Sequence, residues 1–370
     1  MVVLDVQLDN FYAFKNFHVN LTYPKKIVGS SIENEHLAGR PNFRYKKVNI
    51  IMGANATGKT TFGHMLMNIF NFIDNINYKL VTDVISDCTK DASFTLDMAS
   101  DNNILYRISC NISSRSSESY STENINLEVR REKILLNDSY ESCVKRIEAQ
   151  DYTPADNYIE ELKKMEDLDW FFEYPNDTER ILRLPARDEK FCFVLKNILR
   201  ALDPAIQGVE MSQDVKDAYV IRLRDRAVIL QNGERFDTNL LSSGTKAGVE
   251  VASVISALLQ EGNSFYYCDE KFPYIHSDIE KAVLSLMIEC LRPNNQLFFT
   301  THNTDILDMD LPKHAFMFLR KNVEDAECPI TCIAASSLLK RSTDSLKNAV
   351  ENDLFSCAPA VDFIYAIADR

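Results

Sequence analysis

The chain has 370 residues, 45% of them hydrophobic and 26% charged, with a formal net charge of −13. This is the composition of an ordinary globular protein with one large composite domain or two smaller ones, and its acidity disfavours a chain coated in nucleic-acid-binding surface. The nine cysteines (88, 110, 143, 192, 268, 290, 328, 332 and 357) are an odd number with no C-x-x-C pair, so free thiols in a reducing cytoplasm are expected rather than disulfides or a zinc site.

Residues 1–22, "MVVLDVQLDNFYAFKNFHVNLT", alternate as two strands around a turn near Asn10. No basic region precedes an apolar core there, so no signal peptide is expected, and no run of 18 apolar residues predicts a membrane span. Residues 24–46 are polar, carry Pro24, Gly29, Gly39 and Pro41, and read as a loop. Then comes "NIIMGANATGKTTFGHMLMNIF", residues 49–70. Gly53, Gly58, Lys59 and Thr60 match G-x-x-x-x-G-K-[ST]. Val48, Ile50 and Ile51 predict a buried strand end before it. Phe62, Met65, Leu66, Ile69, Phe70 and Ile73 predict one face of a helix after it. In that setting, the backbone N–H groups from Gly53 through Ala54, Asn55, Ala56, Thr57 and Gly58 to Thr61 cradle a polyphosphate at a helix N-terminus. Lys59 reaches the β- and γ-phosphates, and Thr60 holds Mg2+. Residues 1–60 hold eight Lys/Arg against four Asp/Glu, a net of +4 that leaves −17 for the rest. A locally basic N-terminal part suits a polyphosphate site and equally suits a solvated face.

"ASFTLDMASDNNILYRISCNI" predicts a hairpin turning at 100–103, and the Ser-rich "SSRSSESYSTEN" a hairpin tip. "INLEVRREKILLN" adds one or two strands. Residues 155–210 mix charge and apolar groups at helical spacing in "NYIEELKKMEDLDWFFEY" and "EKFCFVLKNILRAL", which predicts a helical lobe. Strands return at 217–232. Beyond them helix and short apolar strand alternate, as in a parallel sheet.

Three further short motifs follow. "TNLLSSGTKAGVEVASVISALL" sets Ser242, Ser243 and Gly244 before a helix with Val251, Ala252, Ile255, Leu258 and Leu259 on its apolar face. A Ser/Gly helix start is an anion site or simply a cap. "SFYYCDEKF" ends an apolar strand on Asp269 and Glu270. Beside a P-loop the first carboxylate holds Mg2+ and the second polarises the attacking water; elsewhere the same pair is two surface acids. "NQLFFTTHNTDIL" ends another apolar strand just before His302, which can touch the γ-phosphate or be a plain loop histidine.

In this order and spacing the four motifs resemble those of ABC-class ATPase heads, most closely the small AAA-labelled bacterial proteins related to the SMC, RecF and OLD families. "GANATGKT" resembles their Walker A, "LSSGTK" their signature, "FYYCDE" their Walker B and "TTHN" their histidine switch, while "NFYAFKNF" resembles their first strand turn. The resemblance implies one composite α/β head over 1–370. It has an N-terminal P-loop part (1–75), an antiparallel β part (92–140), a helical lobe (150–215) and a signature, Walker B and switch part (216–370) around a mixed, largely parallel core sheet. It further implies ATP hydrolysis with Mg2+ held by Thr60 and Asp269, and catalysis by Lys59, Glu270 and His302. Two heads would face each other, Ser242 and Gly244 contacting the γ-phosphate in the partner's site. "IHSD" at 275–278 takes the place of the D-loop, and Lys15 approaches phosphate. Ser243 and Thr245 replace the commonest signature residues, and Gln150, Gln207 and Gln213 all lie in the wrong context for a Q-loop.

Three roles are open for such a head. It could gate a partner effector, a nuclease or toxin from a neighbouring gene, in bacterial anti-phage defence. It could be a RecF- or SMC-like DNA maintenance clamp, or a transporter's nucleotide-binding subunit. The antiparallel strands and the residues after the His strand do not suit the last. The only late D-x-D, Asp308 to Asp310, is followed by 60 residues, too few for a nuclease domain, so no effector chemistry is expected in the chain itself.

Overall fold

The computed structural model describes residues 1–115, 119–174, 184–185, 188–234, 241–260, 262, 264–270, 272, 275–322, 324–341, 343–357, 362–365 and 367. Strands β1 (Val2–Asp9) and β2 (Phe17–Asn20) are antiparallel around the expected turn. The polar stretch after them is not all loop. β3 (His36–Leu37) pairs with β4 (Arg40–Arg44), because Gly39 at φ 70° turns the chain and Leu37 and Phe43 enter a hydrophobic cluster. β5 (Val48–Met52) runs into the Gly-rich loop and α1 (Lys59–Asn75), whose predicted apolar face is buried throughout. The short α2 (Lys79–Thr82) precedes β6 (Ala92–Ala99), β7 (Ile104–Ile112) and β8 (Ile125–Lys133), so "INLEVRREK" supplies one strand. Of the Ser-rich tip, residues 116–118 lie outside the described residues. These strands form an antiparallel sheet in the order β2-β1-β6-β7-β8.

The middle of the chain departs from its helical spacing. After α3 (Tyr140–Glu148), only one short helix, α4 (Tyr158–Leu162), forms where a longer one is predicted. Trp170–Glu173 is instead a strand, β9. Its consecutive aromatics favour a pleated surface over a helix. Phe172 stacks on Tyr267 with ring centroids 5.6 Å apart. The predicted helix at "EKFCFVLKNILRAL" is α5 (Glu189–Leu202), but residues 175–183 and 186–187 of the expected lobe lie outside the described residues. β10 (Ile206–Met211), β11 (Ala218–Leu223) and β12 (Ala227–Gln231) form a second antiparallel sheet. α6 (Ser243–Leu259), β13 (Phe265–Asp269), α7 (Ser277–Glu289) and β14 (Gln296–Thr300) follow. β15 (Phe316–Lys321) and β16 (Ile330–Ala334) complete the strands.

The central sheet runs β16-β15-β5-β14-β13-β9, with β16 antiparallel to β15 and the other neighbours parallel. Its alternating residues fill two cores. Ile51, Phe265, Tyr267, Phe298 and Met317 pack with α1 and the first antiparallel sheet, while Ile50, Tyr266, Leu297, Phe299 and Phe318 pack with α5, α6 and α7. Leu259, predicted on the apolar face of α6, is 40% exposed as the last residue of the helix, while Leu258 beside it is buried in the core.

One glycine sets how closely α1 approaches this sheet. A Cβ on Gly63 would lie 2.5 Å and 2.6 Å from Tyr267 ring atoms. The ring cannot step aside: it stacks on Phe298 at 5.7 Å, and its hydroxyl donates to Lys59 O at 2.7 Å. Gly63→Ala gains helix propensity of up to about 1 kcal/mol, but overpacking costs about 1–3 kcal/mol. The expected outcome is a lower urea midpoint, and equal or higher stability of the variant would refute this packing account.

Candidate functional site

The C-terminal ends of β5, β13 and β14 are neighbours in the sheet, and the polar groups of all three motifs gather there. The loop after β5 is shaped by two glycines. Gly53 has φ 154°, and a Cβ on it would lie 2.4 Å from Leu319 O and 2.8 Å from Thr57 Oγ1. Gly58, at φ 100°, lies over Phe14 of the β1–β2 turn, whose ring atom would be 3.4 Å from a Cβ. Ala56 is left-handed at φ 62°, and Asn55 and Ala56 form the exposed tip. Thr57 Oγ1 donates to Ala54 O at 2.9 Å, closing the loop on itself.

Lys59 begins α1 and is buried. Its Nζ donates to Gly53 O at 2.9 Å and to Ala54 O at 3.2 Å, and stands 3.3 Å from Glu270 Oε1. Burial pulls its pKa down, and Glu270 opposes that. Thr60 Oγ1 donates to Asp269 Oδ2 at 2.7 Å, and Thr300 Oγ1 to Asp269 Oδ1 at 2.6 Å. Asp269 is fully buried. Desolvation raises its pKa against the hydrogen bonds from Thr300 and Thr60. A threonine hydroxyl and a carboxylate are hard oxygen donors, a set that fits Mg2+ shared with phosphate oxygens and waters. Among the described residues, no group of three His, Cys, Asp or Glu side chains could hold a metal alone.

Glu270 leaves the strand at φ 40°, a left-handed conformation costly for a non-glycine residue, and its N–H donates to Thr300 Oγ1 at 3.0 Å. Its Oε1 is 2.9 Å from His302 Nε2. The hydrogen bond to His302 pulls the Glu270 pKa down first, and the Lys59 charge adds to it. Lys59, Thr60, Asp269, Glu270 and His302 therefore form one cluster.

The other predicted residues stand apart from it. Ser242 caps α6, accepting from Thr245 N at 3.1 Å, and is exposed with Ser243. Among the described residues no hydrogen bond joins Ser242 or Gly244 to the Gly-rich loop of the same chain. Lys15 Nζ is directed elsewhere, donating to Ala326 O at 3.4 Å. The 275–278 turn opens α7, with His276 capping it through Asp278 N. Asp308 pairs with Lys347, a structural contact. Gln150 bonds Arg131 O and Glu132, away from the cluster.

Sequence reasoning missed several supporting groups. The strand beside β13 is β9, and after it Tyr174 stacks on His64 of α1 with centroids 4.1 Å apart. Burial lowers the His64 pKa. Thr301, Asn303, Ser277 and Glu280 form a hydrogen-bonded group behind His302. The run of hydroxyl and amide groups around His302 hinted at the first two; Glu280, polar on a buried helix face, gave no signal.

No protein-family profile matches the sequence, and no curated protein matches it. Solved structures do match in shape. One is the SMC head bound to the C-winged helix domain of ScpA, at 14% identity over 92% of this chain and 100% of that one, with a TM-score of 0.50. Others are an SMC head with an extended coiled coil bound to the C-terminal domain of ScpA from Pyrococcus furiosus (12% identity, 92% and 98% covered, TM-score 0.49) and an SMC head domain from Thermotoga maritima (12%, 90% and 99%, 0.41). The chain has the mixed α/β fold of an SMC head, that of an ABC-type ATPase head.

Proposed function

We propose that the protein is an ABC-class ATPase that hydrolyses ATP with Mg2+ as a cytoplasmic homodimer. In the composite site the Gly-rich loop of one copy meets Ser242 and Gly244 of the other. The observation that carries this reading is the convergence of Lys59, Thr60, Asp269, Glu270 and His302 on three adjacent strand ends. Lys59 and the loop N–H groups bind phosphate, Thr60 and Asp269 hold the metal, Glu270 takes the proton of the attacking water, and His302 meets the γ-phosphate. Mg2+ supplies charge neutralisation to the transferring phosphoryl group.

Closure of the dimer on ATP controls a partner effector, a nuclease or toxin encoded nearby, in bacterial anti-phage defence. This step is supported by the resemblance of the motifs and by the lack of an effector constellation in the sequence. Among the described residues no helix is long and apolar enough to cross a membrane. The purified protein is expected to hydrolyse ATP and to leave plasmid, single-stranded DNA and tRNA intact with Mg2+ or Mn2+. Proteins co-purifying from the native host identify the effector. Metal-dependent cleavage lost on mutating Asp308 and Asp310, yet kept in Lys59→Ala, overturns the partner model. Tight, salt-sensitive DNA binding favours instead a RecF- or SMC-like role in DNA maintenance, against which the net charge of −13 weighs.

A further inference from the structure

His302 is exposed at its ring and held from behind. The ring reaches Glu270, but both of its chain neighbours are bonded to one buried carboxylate. Thr301 Oγ1 donates to Glu280 Oε1 at 2.6 Å, and Asn303 Nδ2 donates to Glu280 Oε2 at 2.7 Å. A ring closes beside it. Asn303 Nδ2 also reaches Ser277 Oγ at 3.0 Å, Ser277 Oγ donates to Asp305 Oδ2 at 2.7 Å, and Asp305 N donates to Asn303 Oδ1 at 2.9 Å. Asn303 N in turn donates to Thr301 Oγ1 at 3.0 Å.

Glu280 is 3% exposed, and burial raises its pKa, with Thr301 and Asn303 opposing. The other charge acting on it is Asp305, which repels. Among the described residues no cation pairs with Glu280, and a carboxylate buried in that way is a costly means of holding a helix against a loop, since an apolar side chain would do so at less expense. What it supplies that an apolar group cannot is two directed acceptors, one for the residue before His302 and one for the residue after. With both flanking side chains fixed, the peptide units on either side of His302 are fixed too, and with them the direction of the imidazole.

We propose that Glu280 is a positioning residue for His302: its carboxylate clamps Thr301 and Asn303 so that the imidazole is aimed at Glu270 and the γ-phosphate site. The proposal rests on the ATPase reading above. It acts through orientation alone, so binding of ATP should scarcely depend on it, while turnover should.

Glu280→Gln tests it. Glutamine keeps the shape and the acceptor for Thr301 but sets an NH2 group against that of Asn303. We expect kcat to fall by about tenfold or more while KM for ATP changes by less than about threefold. In the nucleotide-free protein, the His302 Nε2 resonance, assigned by its loss in His302→Gln, should shift. Adding Asn303→Asp restores donor–acceptor pairing with position 280, at the loss of the bond to Ser277 Oγ, and should recover part of kcat. In the His302→Gln background, Glu280→Gln should do nothing more, because residues that act as one unit are not additive. Wild-type kcat in Glu280→Gln, an unmoved resonance, or a loss of equal size in the His302→Gln background overturns the proposal, the last by marking a merely structural role. If Glu280→Gln does not fold, Thr301→Val removes one arm of the clamp and must show the same split; a wild-type kcat and resonance there is equally fatal. Failure of the ATPase reading looks different: wild type and Glu270→Gln would then be equally inert. Loss of turnover in Glu270→Gln with full turnover in Glu280→Gln removes the clamp alone.

Discussion

Replacing Glu270 by Gln is expected to leave ATP–Mg2+ binding intact and to slow hydrolysis by about 10²–10⁴-fold, the usual range for losing a positioned base. In the structure Glu270 is engaged by two neighbouring side chains. Its Oε1 is shared between His302 Nε2 at 2.9 Å and Lys59 Nζ at 3.3 Å, and these partners hold its pKa low. A carboxylate held in this way is a weaker base than a free one. On the proposed reading, the β- and γ-phosphates draw Lys59 to themselves, and His302, already aimed at both Glu270 and the γ-phosphate site, gives its Nε2 bond to the phosphate. Glu270 then loses the groups that depress its pKa, and the pKa rises toward the range where a base works. Binding would thus switch on the base it needs. In Glu270→Gln the new amide can still hydrogen-bond His302 but cannot accept the proton, so the variant should stall as an ATP-bound dimer, detectable by size-exclusion chromatography with ATP and absent without it. Near wild-type turnover in the purified variant would sink the assignment.

The Gly-rich loop, its strand and its helix were legible because each carries a local rule. The glycine spacing, the strand-end apolar run and the 3.6-residue stripe all agree, and α1 buries every residue of that stripe. The place of Asp269 and Glu270 was legible for the same reason: the apolar run of β13 ends on the two acids, beside the Gly-rich loop and its helix. β9 was not legible. Its strand state comes from the open edge beside β13 and from aromatics stacking across it, a tertiary contact that no spacing within "DWFFEY" encodes. Gly63 was read only as part of a helix, although its lack of a side chain decides how near α1 lies to Tyr267. Glu280 was invisible because its partners are more than twenty positions away along the chain. The turn that carries Lys15 meets the loop through Phe14 beside Gly58, and the lysine itself donates to Ala326 O.

Ser242 offers the sharpest separation between a site shared by two copies and a helix that merely needs a cap. Its side chain accepts from Thr245 N, it is exposed, and among the described residues no hydrogen bond joins it to the loop of its own chain. Both readings therefore start from the same geometry. Ser242→Arg loses the cap, at a cost of about 0.5–2 kcal/mol, and fills the space in front of the helix. It should still bind ATP as a monomer and fail to hydrolyse it. Mixing it with Lys59→Ala separates the halves. Each mixed dimer contains one site built from an intact loop and an intact signature and one site in which both are damaged. Half of the dimers in an equal mixture are mixed, and half of their sites are whole, so about a quarter of wild-type turnover should return. Neither variant alone can supply it. Ser242→Asp removes the remaining ambiguity. Aspartate caps a helix as well as serine does, so the fold should be as stable as wild type. Its carboxylate would nevertheless face the partner's γ-phosphate, and like charges in a closed site repel. A stable, capped and inactive Ser242→Asp supports the composite site; a stable and active one leaves Ser242 a cap and nothing more.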